Sequence, residues 1–381
     1  MQSDLISLSD FEAKARRALP QGIWDFIAGG AQDEVTLRLN KEAFQRIPLR
    51  PRRPVDITKR DLSVTVLGQK LSFPVMVAPM GVHKMAHLDG ELASAKAAGA
   101  AGTLMALATG STYSIEDVAK VATGPLWFQL YFNGREISEF LIRRAEAAGY
   151  TAVIVTVDVP LHSPKERDVR NKFISPPGIE RANFASLPKG LTLSTAPSSW
   201  RRSSSSQSTA QSGQWSAPPV TVATWADIDW LRSMTKLPVL LKGIMTAEDA
   251  KLCVEHGVSG VIVSNHGGRQ LDCQSATIEV LPEVVQAVGG KAEVYLDSGI
   301  RRGSDVLKAL ALGARAVFTG QPIFWGLAVD GEAGARQVLE ILRTELDLAM
   351  AFCGRPTIAS IDRSVVEKPK EKRGSGGVPQ I

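Results

Sequence analysis

Cysteine is scarce, with Cys253, Cys273 and Cys353 the only three in 381 residues. Their number is odd and their spacing wide, and no CxxC or Cys/His ligand pattern occurs. That argues against a disulfide framework and against a zinc site, and it suits a reducing compartment. No run of about 18 apolar residues exists, so no segment is expected to span a membrane. The opening MQSDLISLSDFEAK lacks a basic region ahead of an apolar core, so no signal peptide is expected. The closing VPQI is not an SKL-type peroxisomal address, and the expectation is a soluble cytoplasmic protein. The formal net charge is +5, and EKPKEKR (367–373), with four basic and two acidic residues, supplies +2 of it. The remainder is nearly balanced, without a basic stripe interleaved with aromatics, so a nucleic-acid partner is not expected. The GxGxxG dinucleotide fingerprint is also missing.

Short apolar runs separated by helical patterns are present in number. Strands are expected at 74–78, 102–107, 126–131, 152–157, 238–242, 260–264, 293–297 and 316–320. Between them, segments such as 90–100, 135–149, 246–257 and 304–314 repeat apolar residues at three and four, as an amphipathic helix does. Strands apolar on both faces that alternate with helices imply a parallel sheet. Eight such units in about 250 residues predict an α/β protein of the (β/α)8 TIM-barrel class. An amino-terminal helical extension, including 7–19 and 23–30, precedes the first strand. A long insertion, about 161–225, follows the fourth and contains the Ser-rich stretch 198–215. Its place at a strand's carboxyl end suits a lid; a solvated surface insertion is the alternative. The expected organisation is a single barrel domain over 1–365 and a flexible basic tail over 366–381.

Barrel active sites gather at the carboxyl ends of the strands. Polar residues collect there: Gln129 and Tyr131, Thr156 and Asp158, Lys242, the SNHGGRQLD stretch with Ser264, His266 and Arg269, and Asp297. Asp158 could orient His266 as a carboxylate orients a catalytic imidazole, and Arg269 could hold a substrate carboxylate. DSGIRRGSD (297–305) offers glycines, a fork from Arg301 or Arg302, and a helix amino end that favours an anion. With TGQP (319–322) after the eighth strand it reads as a phosphate site for a cofactor.

SNHGGRQLD, LKGI (241–244), WFQLY (127–131), TVDVP (156–160) and DSGIRRGSDVLKALALGA (297–314) resemble the FMN-dependent α-hydroxy acid oxidase/dehydrogenase family. The resemblance runs from about residue 7 to residue 360 and lapses in the Ser-rich insert. It implies an FMN-binding barrel that oxidises an L-2-hydroxy acid to the 2-oxo acid. By that likeness His266 takes a proton, Asp158 supports the imidazolium, Tyr131 hydrogen-bonds the substrate, and Arg269 clamps its carboxylate. Gln129, Thr156, Lys242 and Ser264 match positions at the flavin ring or ribityl chain, and Pro79, Met80 and Gly81 the backbone against the flavin. Asp297, Gly299, Arg301 and Gly320 match the ribityl and phosphate site. The resemblance further suggests a homotetramer, and oxygen as the acceptor, giving hydrogen peroxide.

The chain departs from the family at several of these places. Phe26 stands where relatives carry a tyrosine; the missing hydroxyl removes a hydrogen bond of about 0.5–1.5 kcal/mol. Lys165 replaces the arginine of the lid, giving a point charge without the fork. Gly110 occupies a position often held by a bulky aromatic, Ala108 replaces a hydroxyl near the flavin, and Gln321 an arginine at the phosphate. Gly81 lies where many oxidases have alanine, which leaves a dehydrogenase using another acceptor as an alternative. The expected substrate is therefore a bulkier or less polar 2-hydroxy acid than glycolate. A flavin-binding member with a different substrate, or none, is the competing reading.

Overall fold

The computed structural model describes residues 5–161, 163–188, 191 and 222–367. The Ser-rich stretch 198–215 and the tail beyond Glu367 lie outside them.

Eight parallel strands close into a barrel: β1 (Val75–Val77), β2 (Met105–Ala108), β3 (Leu126–Leu130), β4 (Val153–Thr156), β5 (Val239–Ile244), β6 (Gly260–Val263), β7 (Glu293–Leu296) and β8 (Ala316–Thr319). They pair in sequence order, and β8 closes on β1. All eight expected strands are present, within a few residues of their expected ends. Alternate residues point inward, because side chains change face at every step along a strand. Met76, Ala106, Trp127, Ile154, Leu240, Ile262, Tyr295 and Phe318 fill the interior, while the outer faces pack on the helical ring. The barrel is thus a packed core, and chemistry is confined to its rim.

The amino-terminal extension has more structure than expected. Besides helices Leu8–Ala18 and Gln21–Ala28, it contains a third helix, Val35–Gln45. An antiparallel hairpin follows, pairing Val64–Val66 with Gln69–Leu71. Val64, Val66 and Leu71 join the barrel-interior cluster, and the Leu67 amide reaches Glu293 at the start of β7. The hairpin therefore stoppers the amino end of the barrel and leaves the carboxyl end open. At the other terminus Val366 is buried and bridges Leu49, so packing continues past residue 365.

The described part of the insertion after β4 carries two short helices, Glu166–Arg170 and Ala182–Ala185. The first is fastened to the extension. Arg167 bridges Asp25 at 3.6 Å and also Glu34, while Asn171 donates to Asp25 at 2.5 Å. Among the described residues no helix is long and apolar enough to cross a membrane.

Candidate active site

A cavity of about 290 Å³ opens at the carboxyl end of the barrel. It is lined by residues from the strand ends, the insertion and the amino-terminal extension, among them Phe26, Tyr131, Lys165, Lys242, His266, Arg269 and Arg301.

The loop after β6 turns sharply to present its imidazole. His266, Gly267 and Gly268 all adopt positive φ, at 58°, 67° and 73°. A non-glycine residue held there is a strained backbone, a state that persists only where its surroundings over-determine it. Here the third helix of the extension does so. Asp272 accepts from the Thr36 amide at 2.8 Å, and Asn265 exchanges side-chain hydrogen bonds with Asn40 at 2.8 and 2.9 Å. Held this way, His266 places Nδ1 2.8 Å from Asp158 Oδ1 and Nε2 3.4 Å from Tyr131 Oη. Burial would raise the Asp158 carboxyl, but the charges of His266 and Lys242 more than offset it, and its pKa falls. Burial, reinforced by Asp158, pushes the Tyr131 phenol up to about 12, so it keeps its proton and can donate.

A second chain of polar contacts lies beside the first. Lys242, from β5, is 2.8 Å from Ser264 Oγ and 3.0 Å from Asp297 Oδ2, and Ser264 donates to Asp297 at 2.7 Å. Burial disfavours this ammonium, yet Asp297 and Asp158 outweigh it and raise its pKa. Gln129 donates to Thr156 at 2.8 Å. Gln129, Thr156, Ser264 and Asp158 stand just behind the lining residues, while Ala108 and the Pro79–Met80–Gly81 backbone form part of the lining itself.

Arg269 reaches the carboxyl end of the extension's second helix. It donates to the carbonyls of Gly29 at 2.5 Å, Ile27 at 3.2 Å and Phe26 at 2.8 Å. Its guanidinium lies 5.7 Å from the centre of the Phe26 ring, which itself stacks on Phe173 of the insertion at 5.1 Å. These carbonyls take three of the five guanidinium N–H groups, and Arg269 still lines the cavity. Lys165 Nζ donates to the Ser163 carbonyl at 3.3 Å, and burial, then the charge of Arg269, pushes it down to about 8.

The far end of the cavity suits a phosphate. Gly299 has φ 88°, and an added Cβ would lie 2.1 Å from the Asn40 carbonyl, so glycine alone fits. Arg301 turns inward and meets Gln321 at 2.5 Å, whereas Arg302 turns out to Glu345 at 2.7 Å. Of the two arginines, Arg301 is the one that lines the cavity. One expectation changes: the helix after DSGIRRGSD (Gly303–Ala311) does not offer its amino end to an anion. Asp305 accepts from the amides of Arg301 and Arg302, and Glu345 from that of Gly303. The available helix start is that of Gln321–Phe352, whose first residues Gly320 and Gln321 line the cavity. Lys41, from the extension, also lines it and stands in the field of Arg301, a second cation that the sequence reading missed. Arg301 Nε is buried without a hydrogen-bond partner among the described residues, as expected of a group built to receive a ligand anion.

The comparisons with known proteins agree. The profile of the FMN-dependent dehydrogenases matches residues 15–368. The chain belongs to that family. It is 47% identical over 362 residues to glycolate oxidase 1 of Oryza sativa subsp. indica, with 95% of each chain covered. It is 44% identical over 379 residues to glycolate oxidase of Spinacia oleracea, covering 99% of this chain and 100% of that one. The structure of a mandelate oxidase with benzoyl-formic acid superposes with a TM-score of 0.84 at 39% identity, covering 95% of this chain and 98% of that one. FMN is the cofactor of this family member. The residues fit it: Arg301, Lys41 and the Gly299 and Gly320 backbone would hold the phosphate, and Lys242 and the Pro79–Gly81 backbone would face the ring.

Proposed function

We propose that this FMN-dependent dehydrogenase family member oxidises an (S)-2-hydroxy acid, bulkier than glycolate, to the 2-oxo acid with oxygen as acceptor. The observation that carries the reading is the His266–Asp158 pair, set against Tyr131 inside the same cavity as Lys242 and Arg269.

The substrate must give up its hydroxyl proton, its Cα hydrogen and two electrons. FMN, when bound, would accept the Cα hydrogen together with the two electrons, and oxygen would reoxidise it with formation of hydrogen peroxide. With Nδ1–H committed to Asp158, His266 Nε2 is an acceptor and takes the hydroxyl proton. Asp158 then faces an imidazolium and stabilises it. Tyr131, a protonated phenol, donates to the substrate oxygen. Arg269 receives the carboxylate on the N–H groups that the carbonyls leave, and Lys165 adds a second positive charge beside it. Lys242, cationic through Asp297, would offset negative charge on a bound flavin ring. The relatives that support this chemistry include the glycolate oxidases and the mandelate oxidase named above.

Anaerobic bleaching of the holoenzyme's flavin by glycolate, lactate, 2-hydroxyoctanoate and mandelate tests the reading, followed by oxygen uptake. Bleaching by an acid larger than glycolate, with one oxygen consumed per turnover, is expected. A strong preference for glycolate would remove the bulkier-substrate claim, and bleaching by none of the acids would remove the chemistry. Gly81 motivates one alternative, since an added Cβ there would lie 3.0 Å from the Gly110 carbonyl. A bleached flavin that air does not restore would indicate a dehydrogenase with another acceptor.

A further inference from the structure

Tyr131 stands just past the end of β3, yet its phenol meets His266 across the cavity at 3.4 Å. Something other than the sheet must hold it there. The last paired residues of β2 and β3 are Ala108 and Gln129. Beyond them the Thr109 amide still donates to the Gln129 carbonyl at 2.9 Å. The next rung of an evenly spaced parallel ladder would run from the Tyr131 amide to the Thr109 carbonyl. In its place the Tyr131 amide donates to the Thr109 side-chain hydroxyl, at 3.0 Å.

That exchange lets the chain after β2 turn away while the end of β3 stays fixed. The Ser111 amide folds back onto the Ala108 carbonyl at 3.1 Å, and the Gly110 carbonyl accepts from the Val82 amide at 3.2 Å. The Thr109 carbonyl, which the side-chain rung leaves over, accepts from Asn183 Nδ2 at 3.2 Å. Asn183 is fully buried, donates also to Ser111 Oγ at 2.9 Å, and accepts from the Ile115 amide at 2.9 Å. Thr109 is itself buried, and its hydroxyl donates to the Gln129 carbonyl at 2.6 Å. Its proton is thereby committed, and its oxygen is left as the acceptor for Tyr131. One hydroxyl thus grips two alternate residues of the strand, Gln129 and Tyr131. Valine has the same shape but neither the donor nor the acceptor, and would leave the Tyr131 amide without this partner.

We propose that Thr109 is a positioning residue for Tyr131: its hydroxyl stands in for the missing ladder rung and fixes the strand end that aims the phenol at His266 and the substrate oxygen. Thr109 acts through that strand end and gives the substrate no proton of its own. The inference rests on the reading above, in which Tyr131 donates to a 2-hydroxy acid.

The test is a double-mutant cycle with Tyr131→Phe. Its readout is the rate of anaerobic bleaching of the holoenzyme by saturating mandelate or 2-hydroxyoctanoate, whichever bleaches wild type faster. Thr109→Val should slow bleaching by about tenfold or more, since small displacements of a reacting group are costly. Thr109→Ser keeps the hydroxyl and should stay within about threefold of wild type. In the Tyr131→Phe background Thr109→Val should cost less than about twofold, because the phenol it aims is already gone. A valine variant that is equally costly in both backgrounds, or a serine variant as slow as the valine one, overturns the proposal, as does a valine variant as fast as wild type. Hydrogen exchange needs no variant: the Tyr131 amide of wild-type holoenzyme should be protected like the amides within β3, and rapid exchange there also overturns it. Failure of every hydroxy acid to bleach the flavin sinks the 2-hydroxy acid reading instead. Exchange at the Tyr131 amide, lost in Thr109→Val and kept in Thr109→Ser, still reports whether Thr109 holds the strand end.

Discussion

His266 Nδ1 and Asp158 Oδ1 lie 2.8 Å apart, joining the loop after β6 to the end of β4 across the barrel mouth. The carboxylate is buried, and it stays ionised because His266 and Lys242 outweigh its desolvation. Asp158→Asn keeps the shape and removes the charge that steadies the protonated imidazole. The rate of anaerobic flavin bleaching should fall by about 10²–10⁴-fold, the usual worth of a positioned acid–base group. The FMN absorbance spectrum should be unchanged, since Asp158 stands behind the cavity lining. A loss below about tenfold would mean that Asp158 does not act through His266.

Lys165 gives the site a pH dependence. Burial, and secondarily Arg269, lower it to about 8. A bound substrate carboxylate favours the ammonium and draws its pKa upward in the complex. Raising the pH through about 8 therefore neutralises Lys165 in the free enzyme first. KM should be level below that pH and rise above it, while kcat stays flat over the same interval. Arg269 faces Lys165 and pushes its pKa down, and Asp168 opposes the shift. Arg181, pushed down to about 9 in the same cavity wall, titrates later, so steady-state kinetics between about pH 6.5 and 9.5 check this with Lys165→Met, which should lose the rise near 8. A wild-type KM that remains level through pH 9 would show that Lys165 does not bind substrate.

The barrel was legible because its strands are apolar on both faces and regularly spaced, and the strand ends carry the polar side chains that chemistry needs. The third helix of the extension was not. Its buried face starts with Thr36 and Asn40, polar residues that break the apolar repeat because the Thr36 hydroxyl accepts from the Gln274 amide and Asn40 pairs with Asn265, which holds the catalytic loop. Arg181 was hidden for a related reason. It lies far from any strand end in sequence, and contacts of Ala182 and Asn183 with the loop after β2 bring it to the cavity. Neither contact leaves a local pattern, since both partners are distant in the chain. Gly110 was read as leaving room in the cavity, but the arginine that stands beside it belongs to another segment. The inward turn of Arg301 likewise depended on Glu345, some forty residues downstream, which takes Arg302.

Gly299 tests whether the backing helix matters to the cofactor. Its φ of 88° and the 2.1 Å approach of an added Cβ to the Asn40 carbonyl are separate obstacles to any side chain. Gly290 isolates the first of them, with φ 77° and open space around it. Gly290→Ala should cost about 1 kcal/mol from backbone strain alone and leave FMN binding as it was. Gly299→Ala must also push the Ser298–Arg301 loop off the helix, at a cost above about 2 kcal/mol. That loop lines the phosphate end of the cavity, so the Kd for FMN should rise by about tenfold or more. Thermal unfolding of the apoproteins and fluorescence titration with FMN measure the two effects independently. Equal losses in both variants would show that contact with Asn40 is irrelevant and that the left-handed backbone alone sets the requirement for glycine. A Gly299→Ala protein that is destabilised but binds FMN normally would instead separate the helix from the cofactor, and would assign the phosphate to Arg301 and Lys41 without the loop backbone.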